Sequence, residues 1–166
     1  MEELTINIPL LKKEEAELTP TEATLLQKAK QATYRSYSPY SHFSVGAAAL
    51  LDDGTIVEGA NQENSAYPSG LCAERTAVFY AGAQYPERAV TLLCVAARDT
   101  DGKFTARPIP PCGGCRQVLS ETEDRQKQPM RIMLYGTDGI YFINTAKDLL
   151  PIHFDTTYFL QSTIHN

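Results

Sequence analysis

The run AVTLLCVAA, residues 89–97, holds no charged residue. Its length suits a strand, and its uninterrupted apolarity means that both faces of that strand need covering. A chain built around such a strand calls for a mixed sheet with helices packed on its faces, and the flanking pattern supplies the parts. Thr19 can cap a helix, Pro20 fits its first position and Glu22 completes a capping box. Leu25, Leu26, Ala29 and Ala32 then give that helix an apolar face, and YSPYS ends it. FSVGAAALL, DDGT and TIVEGANQE read as a hairpin. A second helix is expected over about 71–83 and a third from about Cys112 to Arg125. RIMLY, GTDG and IYFIN give two further strands joined by a turn. The order is helix, two strands, helix, strand, helix, two strands, which predicts an α/β domain with a five-stranded mixed sheet packed between helices. Ahead of it, LTINI alternates like a short strand, and KKEEAE reads as a solvated linker.

The length of 166 residues fits one domain, and 43% hydrophobic residues suffice for one core. A formal net charge of −5 argues against a nucleic-acid-binding role. The opening MEELTINIPL has neither the basic start nor the apolar run of a signal peptide, and no stretch has the length of a membrane span. The expected compartment is the cytoplasm. Disulfides are rare there, so the cysteines at 72, 94, 112 and 115 read first as ligands, catalytic groups or buried thiols.

Cys112 and Cys115 stand in PCGGCRQ at a predicted helix start, and Cys72 stands in GLCAER at another. Residues three apart share a helix face, so the sulfurs of the pair can converge on one ion. Three thiolates with one position left open is the pattern of a catalytic zinc site, because a closed structural site takes four protein ligands. Helix N-termini favour the thiolate form. Arg75 and Arg116, close to ligands in sequence, can offset the negative charge of three thiolates on one zinc. Glu74, two residues after Cys72, is not needed as a ligand and suits proton transfer, provided that Cys72 sits at the very end of its helix. Two other readings compete: a redox CGGC pair, and a structural site using all four cysteines. Cys94 lies inside the apolar run and fits a buried thiol better. His42, His153 and His165 share no metal spacing.

A ligand-x-Glu motif followed by Pro-Cys-x-x-Cys is the signature of zinc deaminases, and CAE with PCGGC fits it, with cysteine as the first ligand. The chain resembles the cytidine deaminase family over about residues 21–154. YSPYSHFSVGAAAL, NQENSAYPSGLCAERTA, PCGGCRQVL and DLLPIHF carry the likeness. The resemblance implies the α-β-α sandwich of that family over residues 19–166, with 1–18 as an N-terminal extension. It implies one zinc per chain on Cys72, Cys112 and Cys115, with Glu74 shuttling protons. Phe43 would lie against the pyrimidine, Asn61 and Glu63 would bond the ribose, and the Ala73 N–H would meet the base carbonyl. Tyr67 and Phe154 would line sites shared between subunits of a homotetramer. The implied reaction is hydrolytic deamination of cytidine and 2′-deoxycytidine to uridine and 2′-deoxyuridine with release of ammonia, a step of pyrimidine salvage. The implied partner is a free nucleoside, with no nucleic acid and no membrane. A modified cytosine nucleoside such as blasticidin S is the alternative substrate, and an inactive zinc-stabilised interaction module is the alternative class. Polynucleotide and nucleotide deaminases usually begin their ligand set with histidine, so Cys72 weighs against them.

Overall fold

The computed structural model describes residues 1–160. In chain order the elements are β1 (Leu10–Lys13), α1 (Pro20–Ala32), β2 (Ser44–Leu51), β3 (Ile56–Ala60), α2 (Ala73–Gln84), β4 (Val90–Arg98), α3 (Gly113–Gln126), β5 (Arg131–Gly136), β6 (Gly139–Ile143) and a final turn, α4 (Thr157–Leu160). Single 3₁₀ turns cover Glu15–Glu17, Thr33–Arg35, Tyr67–Ser69 and Ala146–Leu149. The strands form one sheet in the order β1-β6-β5-β4-β2-β3. Among the described strands only the β4–β5 pair is parallel, and its crossover is α3.

β4 has the two-sided character that its sequence demands. Leu92, Cys94 and Ala96 face one way, into a core with Leu25, Leu26 and Ala29 of α1. Leu93 and Val95 face the other way, against Ala77 and Val78 of α2 and Leu119 of α3. The period of two along a strand divides the core into these two halves. Two glycines let the helices approach closely. A Cβ at Gly46 of β2 would lie 2.2 Å from Ala29 O of α1, and one at Gly59 of β3 would lie 2.5 Å from Ala77 N of α2. α1 starts as its sequence predicts, with Thr19 and Glu22 closing a reciprocal capping box behind Pro20.

The sheet has six strands rather than the expected five. The sixth, β1, comes from the N-terminal segment, and it lies at residues 10–13 instead of 4–8. Its partner sets that position: Leu10 pairs with Ile143, the last residue of β6, so the partner strand ends where residues 4–8 would need it. KKEEAE is solvated as expected, with Lys13 alone half-buried, but it is no loose linker, since its residues belong to β1 and to the Glu15–Glu17 turn. Lys13 Nζ lies 3.3 Å from Glu22 Oε2 and 4.6 Å from the centre of the Phe142 ring. Lys30 Nζ lies 2.8 Å from Glu15 Oε1. Burial alone would push the Glu22 carboxyl up, but the Thr19 N–H and the Lys13 ammonium outweigh it and hold the group below its ordinary range. Among the described residues, no helix is long and apolar enough to cross a membrane.

Candidate active site

Two helix starts meet on the α2/α3 side of the sheet. Cys72 is the N-cap of α2, and Cys112 is the N-cap of α3. Both have extended backbone, and neither sulfur caps its own helix, so both remain free for another partner. Cys115 is the third residue of α3. N-cap and N3 side chains face each other across a helix start, the geometry a capping box exploits. The Cys112 and Cys115 sulfurs are 3.5 Å apart, and those of Cys72 and Cys112 are 3.7 Å apart. The three sulfurs lie within 4.8 Å of one another. Zinc–sulfur bonds of about 2.3 Å at tetrahedral angles require sulfurs about 3.8 Å apart. The triad fits that ion. Cys94 is not in the cluster: it is fully buried on the α1 side of the sheet, where burial pushes its thiol up.

Charge around the triad is organised by neighbours. The Cys72 thiol is pulled down to about 5, first by its hydrogen bond with Cys115 and further by Arg75 and Cys112. Arg75 Nη2 reaches Cys72 Sγ at 3.7 Å, and Arg75 Nε is buried without a hydrogen-bond partner of its own. Arg116 turns elsewhere: its guanidinium donates to Pro111 O and Leu149 O, both at 2.9 Å. It ties the α3 start to the segment after β6. Glu74 occupies the first turn of α2 and is only 4% exposed. Burial pushes its carboxyl up, and the Cys72 charge adds to the effect. Because Cys72 precedes the helix proper, the extended N-cap supplies the condition under which Cys72 and Glu74 can serve one site.

Cys72 and Cys112 open into a cavity of about 640 Å³ lined also by Phe43, Asn61, Glu63, Tyr67, Glu74 and Arg75, among others, while Cys115 lies buried behind them. Asn61 and Glu63, two apart on an extended segment, share a face. Asn61 Oδ1 accepts from Ser36 Oγ at 2.6 Å and from Val45 N at 2.8 Å, while Asn61 Nδ2 donates to Phe43 O at 3.0 Å. Glu63 Oε2 accepts from Tyr40 N at 2.9 Å and Ser41 N at 3.3 Å, and Glu63 Oε1 accepts a short bond from Ser41 Oγ. The Ser41 hydroxyl, with those two backbone N–H groups, holds the Glu63 carboxyl below its ordinary range. Ala73 is the first residue of α2, where helix N–H groups lack intrahelical partners.

Phe154 is not on the cavity wall. It is 58% exposed, stacked on Tyr158 at 5.7 Å and edge-on to Phe159 at 5.4 Å, and its carbonyl accepts from Gln117 Nε2. His42 adopts φ 56° beside Phe43, His153 lies 3.8 Å from Asp155, and His165 lies outside the described residues. Sequence reasoning missed Tyr40, Ser41, Leu71, Ile109 and Pro110, all on the cavity wall. PIPP directly before Cys112 was a usable signal for the last two, since consecutive prolines stiffen a loop leading into a ligand.

Comparison with known proteins gives the family. The family model described as the cytidine and deoxycytidylate deaminase zinc-binding region matches residues 19–128. The chain is 46% identical over 127 residues to a cytidine deaminase of Halalkalibacterium halodurans, covering 76% of this chain and 89% of that protein. It is 50% identical over 127 residues to a cytidine deaminase of Sporosarcina psychrophila, covering 76% and 86%. The crystal structure of a cytidine deaminase from Burkholderia pseudomallei superposes with a TM-score of 0.67 at 39% identity, covering 79% of this chain and 97% of that one.

Proposed function

The chain belongs to the cytidine and deoxycytidylate deaminase family, and from that premise we propose that it is a zinc-dependent hydrolase. It deaminates cytidine and 2′-deoxycytidine to uridine and 2′-deoxyuridine, releases ammonia and serves pyrimidine salvage in the cytoplasm. The observation that carries this reading is one cavity lined by two cysteines of the triad, a buried carboxyl and a paired amide and carboxylate. Residues 19–166 are the catalytic domain, and residues 1–18 are an extension that adds one strand to its sheet.

Cys72, Cys112 and Cys115 hold zinc, one per chain, and the ion supplies Lewis-acid activation of water at neutral pH. The residues do the rest. Glu74, buried and with a raised carboxyl, exchanges protons near neutrality more readily than an exposed carboxylate. It takes a proton from the attacking water and delivers it to the ring nitrogen, then takes the proton of the added hydroxyl and delivers it to the departing amine, ending in the state in which it began. The Ala73 N–H, at a helix start, donates to the base carbonyl. Phe43 and Tyr67 offer aromatic surface to the base. Arg75 offsets thiolate charge through Cys72; Arg116 acts on the same site at longer range by fixing the start of α3.

Hydrogen-bond capacity supports a sugar hydroxyl as the other anchor. A carboxylate has about four acceptor positions, and Glu63 has committed three, leaving one on Oε1. Both acceptor positions of Asn61 Oδ1 are used, and one of its two amide N–H groups is committed, leaving one donor. One hydroxyl can accept from Asn61 and donate to Glu63. A phosphate would meet Glu63 as a like charge, and the cavity's one basic residue, Arg75, is engaged with Cys72. Phe154, off the wall of its own cavity, completes the site of a neighbouring subunit in a homotetramer.

The test is zinc stoichiometry together with loss of ultraviolet absorbance on cytidine, deoxycytidine, deoxycytidine monophosphate and a cytosine-containing single-stranded oligonucleotide. Turnover of the two nucleosides alone is expected. Comparable rates on the phosphorylated substrates would overturn the nucleoside reading.

A further inference from the structure

Two polar groups of the cavity wall, Asn61 and Glu63, are each held by a serine that no role yet explains. RSYSPYSHFS places serines at 36, 38 and 41 between α1 and β2, and at 44 as the first residue of β2. Ser36 Oγ bonds Asn61 Oδ1 at 2.6 Å and Ser38 Oγ at 3.1 Å, and Ser38 Oγ lies 3.4 Å from Ser44 Oγ. Ser41 Oγ donates to Glu63 Oε1 and accepts from Phe43 N at 3.1 Å. The four hydroxyls form two separate supports, one per wall group.

What each support does follows from the unused capacity. Oε2 of Glu63 is filled by two backbone N–H groups, so the free acceptor position is on Oε1, the oxygen that Ser41 holds. The carboxylate could otherwise turn about its last bond and spend that position on water. Asn61 is subject to the parallel constraint. Its Oδ1 faces two donors, the Ser36 hydroxyl and the Val45 N–H. Flipping the amide would set N–H against those donors, so the free donor stays on the Nδ2 side. Ser41 also fixes the N–H of Phe43, while Asn61 fixes its carbonyl, so the peptide carrying the Phe43 ring is held from both ends.

We propose that Ser36 and Ser41 are positioning residues that set the polarity of the sugar site, Ser36 aiming its one donor and Ser41 its one acceptor. The proposal rests on the reading of the cavity as a nucleoside site. It makes discrimination for a hydroxylated sugar a property of the 36–44 segment as much as of the two residues that touch the ligand. Ser41 sits on the surface, so removing its hydroxyl changes aim rather than folding.

The experiment compares Ser36→Ala, Ser41→Ala and Ser41→Thr on cytidine and on 2′,3′-dideoxycytidine, with the zinc-loaded full chain. Wild type should prefer cytidine by about a hundred-fold or more, since a site built to bond a hydroxyl rejects the analogue lacking it. Ser41→Ala should raise KM for cytidine roughly ten- to a hundred-fold, the range one charge-assisted bond supports, and Ser36→Ala roughly two- to tenfold, the range of a bond between neutral groups. kcat at saturation should stay within about threefold, the signature of lost uniform binding. Kinetics on dideoxycytidine should barely change, and Ser41→Thr should restore the wild-type KM. Equal losses on both substrates, or a fall in kcat with KM unchanged, would overturn the proposal while leaving the nucleoside reading intact. Wild type turning over both substrates equally well would overturn the sugar site itself, and the proposal with it. No turnover of either by a zinc-loaded chain would overturn the deaminase reading.

Discussion

Gly59→Ala tests whether the seating of α2 on the sheet aligns the triad. A Cβ there would lie 2.5 Å from Ala77 N and 2.6 Å from Ala73 O, both backbone atoms of α2. Backbone cannot rotate aside as a side chain can. Restoring contact at about 3.5 Å therefore lifts the helix by about 1 Å. Overpacking of this kind costs about 1–3 kcal/mol, which lowers the melting temperature of a domain this size by roughly 2–10 °C. The functional effect should be larger than that loss suggests. α2 begins at Cys72 and carries Glu74, whereas Cys112 and Cys115 ride on α3. A lift of α2 alone shifts one sulfur and the carboxyl relative to the other two sulfurs. Misplacement by about 1 Å can cost 10²-fold in rate. Gly46→Ala is the control: its Cβ would meet Ala29 O at 2.2 Å and Thr33 N at 2.6 Å, displacing α1 on the opposite face. It should destabilise at least as much, yet keep one zinc per chain and most of kcat. Zinc content and kcat at saturating cytidine, measured well below both melting transitions, decide the matter. Wild-type kcat in Gly59→Ala, or an equal fall in both variants, would refute the reasoning.

Glu74→Gln is expected to keep zinc and lose turnover by about 10⁴-fold, because a group used for several transfers sits at the upper end of general acid–base effects; near-normal turnover in a zinc-loaded variant would remove Glu74 from the mechanism. Cys112→Ala should lose both metal and activity, whereas Cys94→Ala, which trims a thiol on the α1 side of the sheet, should keep both; equal zinc loss would point to a four-cysteine structural site. Phe154→Ala should weaken catalysis by roughly ten- to a hundred-fold if the ring stacks on the base. Co-expressed with Glu74→Gln so that mixed oligomers form, it should exceed the average of the two pure variants, and activity at or below that average would rule out a site shared between subunits.

The parts of this protein that were legible in the sequence are those governed by neighbours within one helical turn. Thr19, Pro20 and Glu22 announce α1 because a capping box closes over three residues. Cys112 and Cys115 announce themselves for the same reason, and Cys72-x-Glu74 needed only the extended N-cap that the structure supplies. The sixth strand was displaced in the reading because Leu10–Lys13 acquires its register from β6, far along the chain, and is fastened by Lys13 to Glu22 and the Phe142 ring. Alternation alone favoured residues 4–8, which have apolar side chains in the right phase but no partner edge to lie against. The serines that hold Asn61 and Glu63 were invisible for a related reason. Ser36 and Asn61 are separated by 25 positions, and Ser41 and Glu63 by 22, so neither bond leaves a local pattern. This division has a chemical consequence. The proposed metal ligands and proton carrier sit where the backbone of a helix start dictates their placement, and tolerate little change in α2 or α3. The groups that would choose the sugar are instead aimed by hydroxyls on an irregular segment, where one substitution can redirect a donor or an acceptor without disturbing the sheet, so specificity can change here while the chemistry stays fixed.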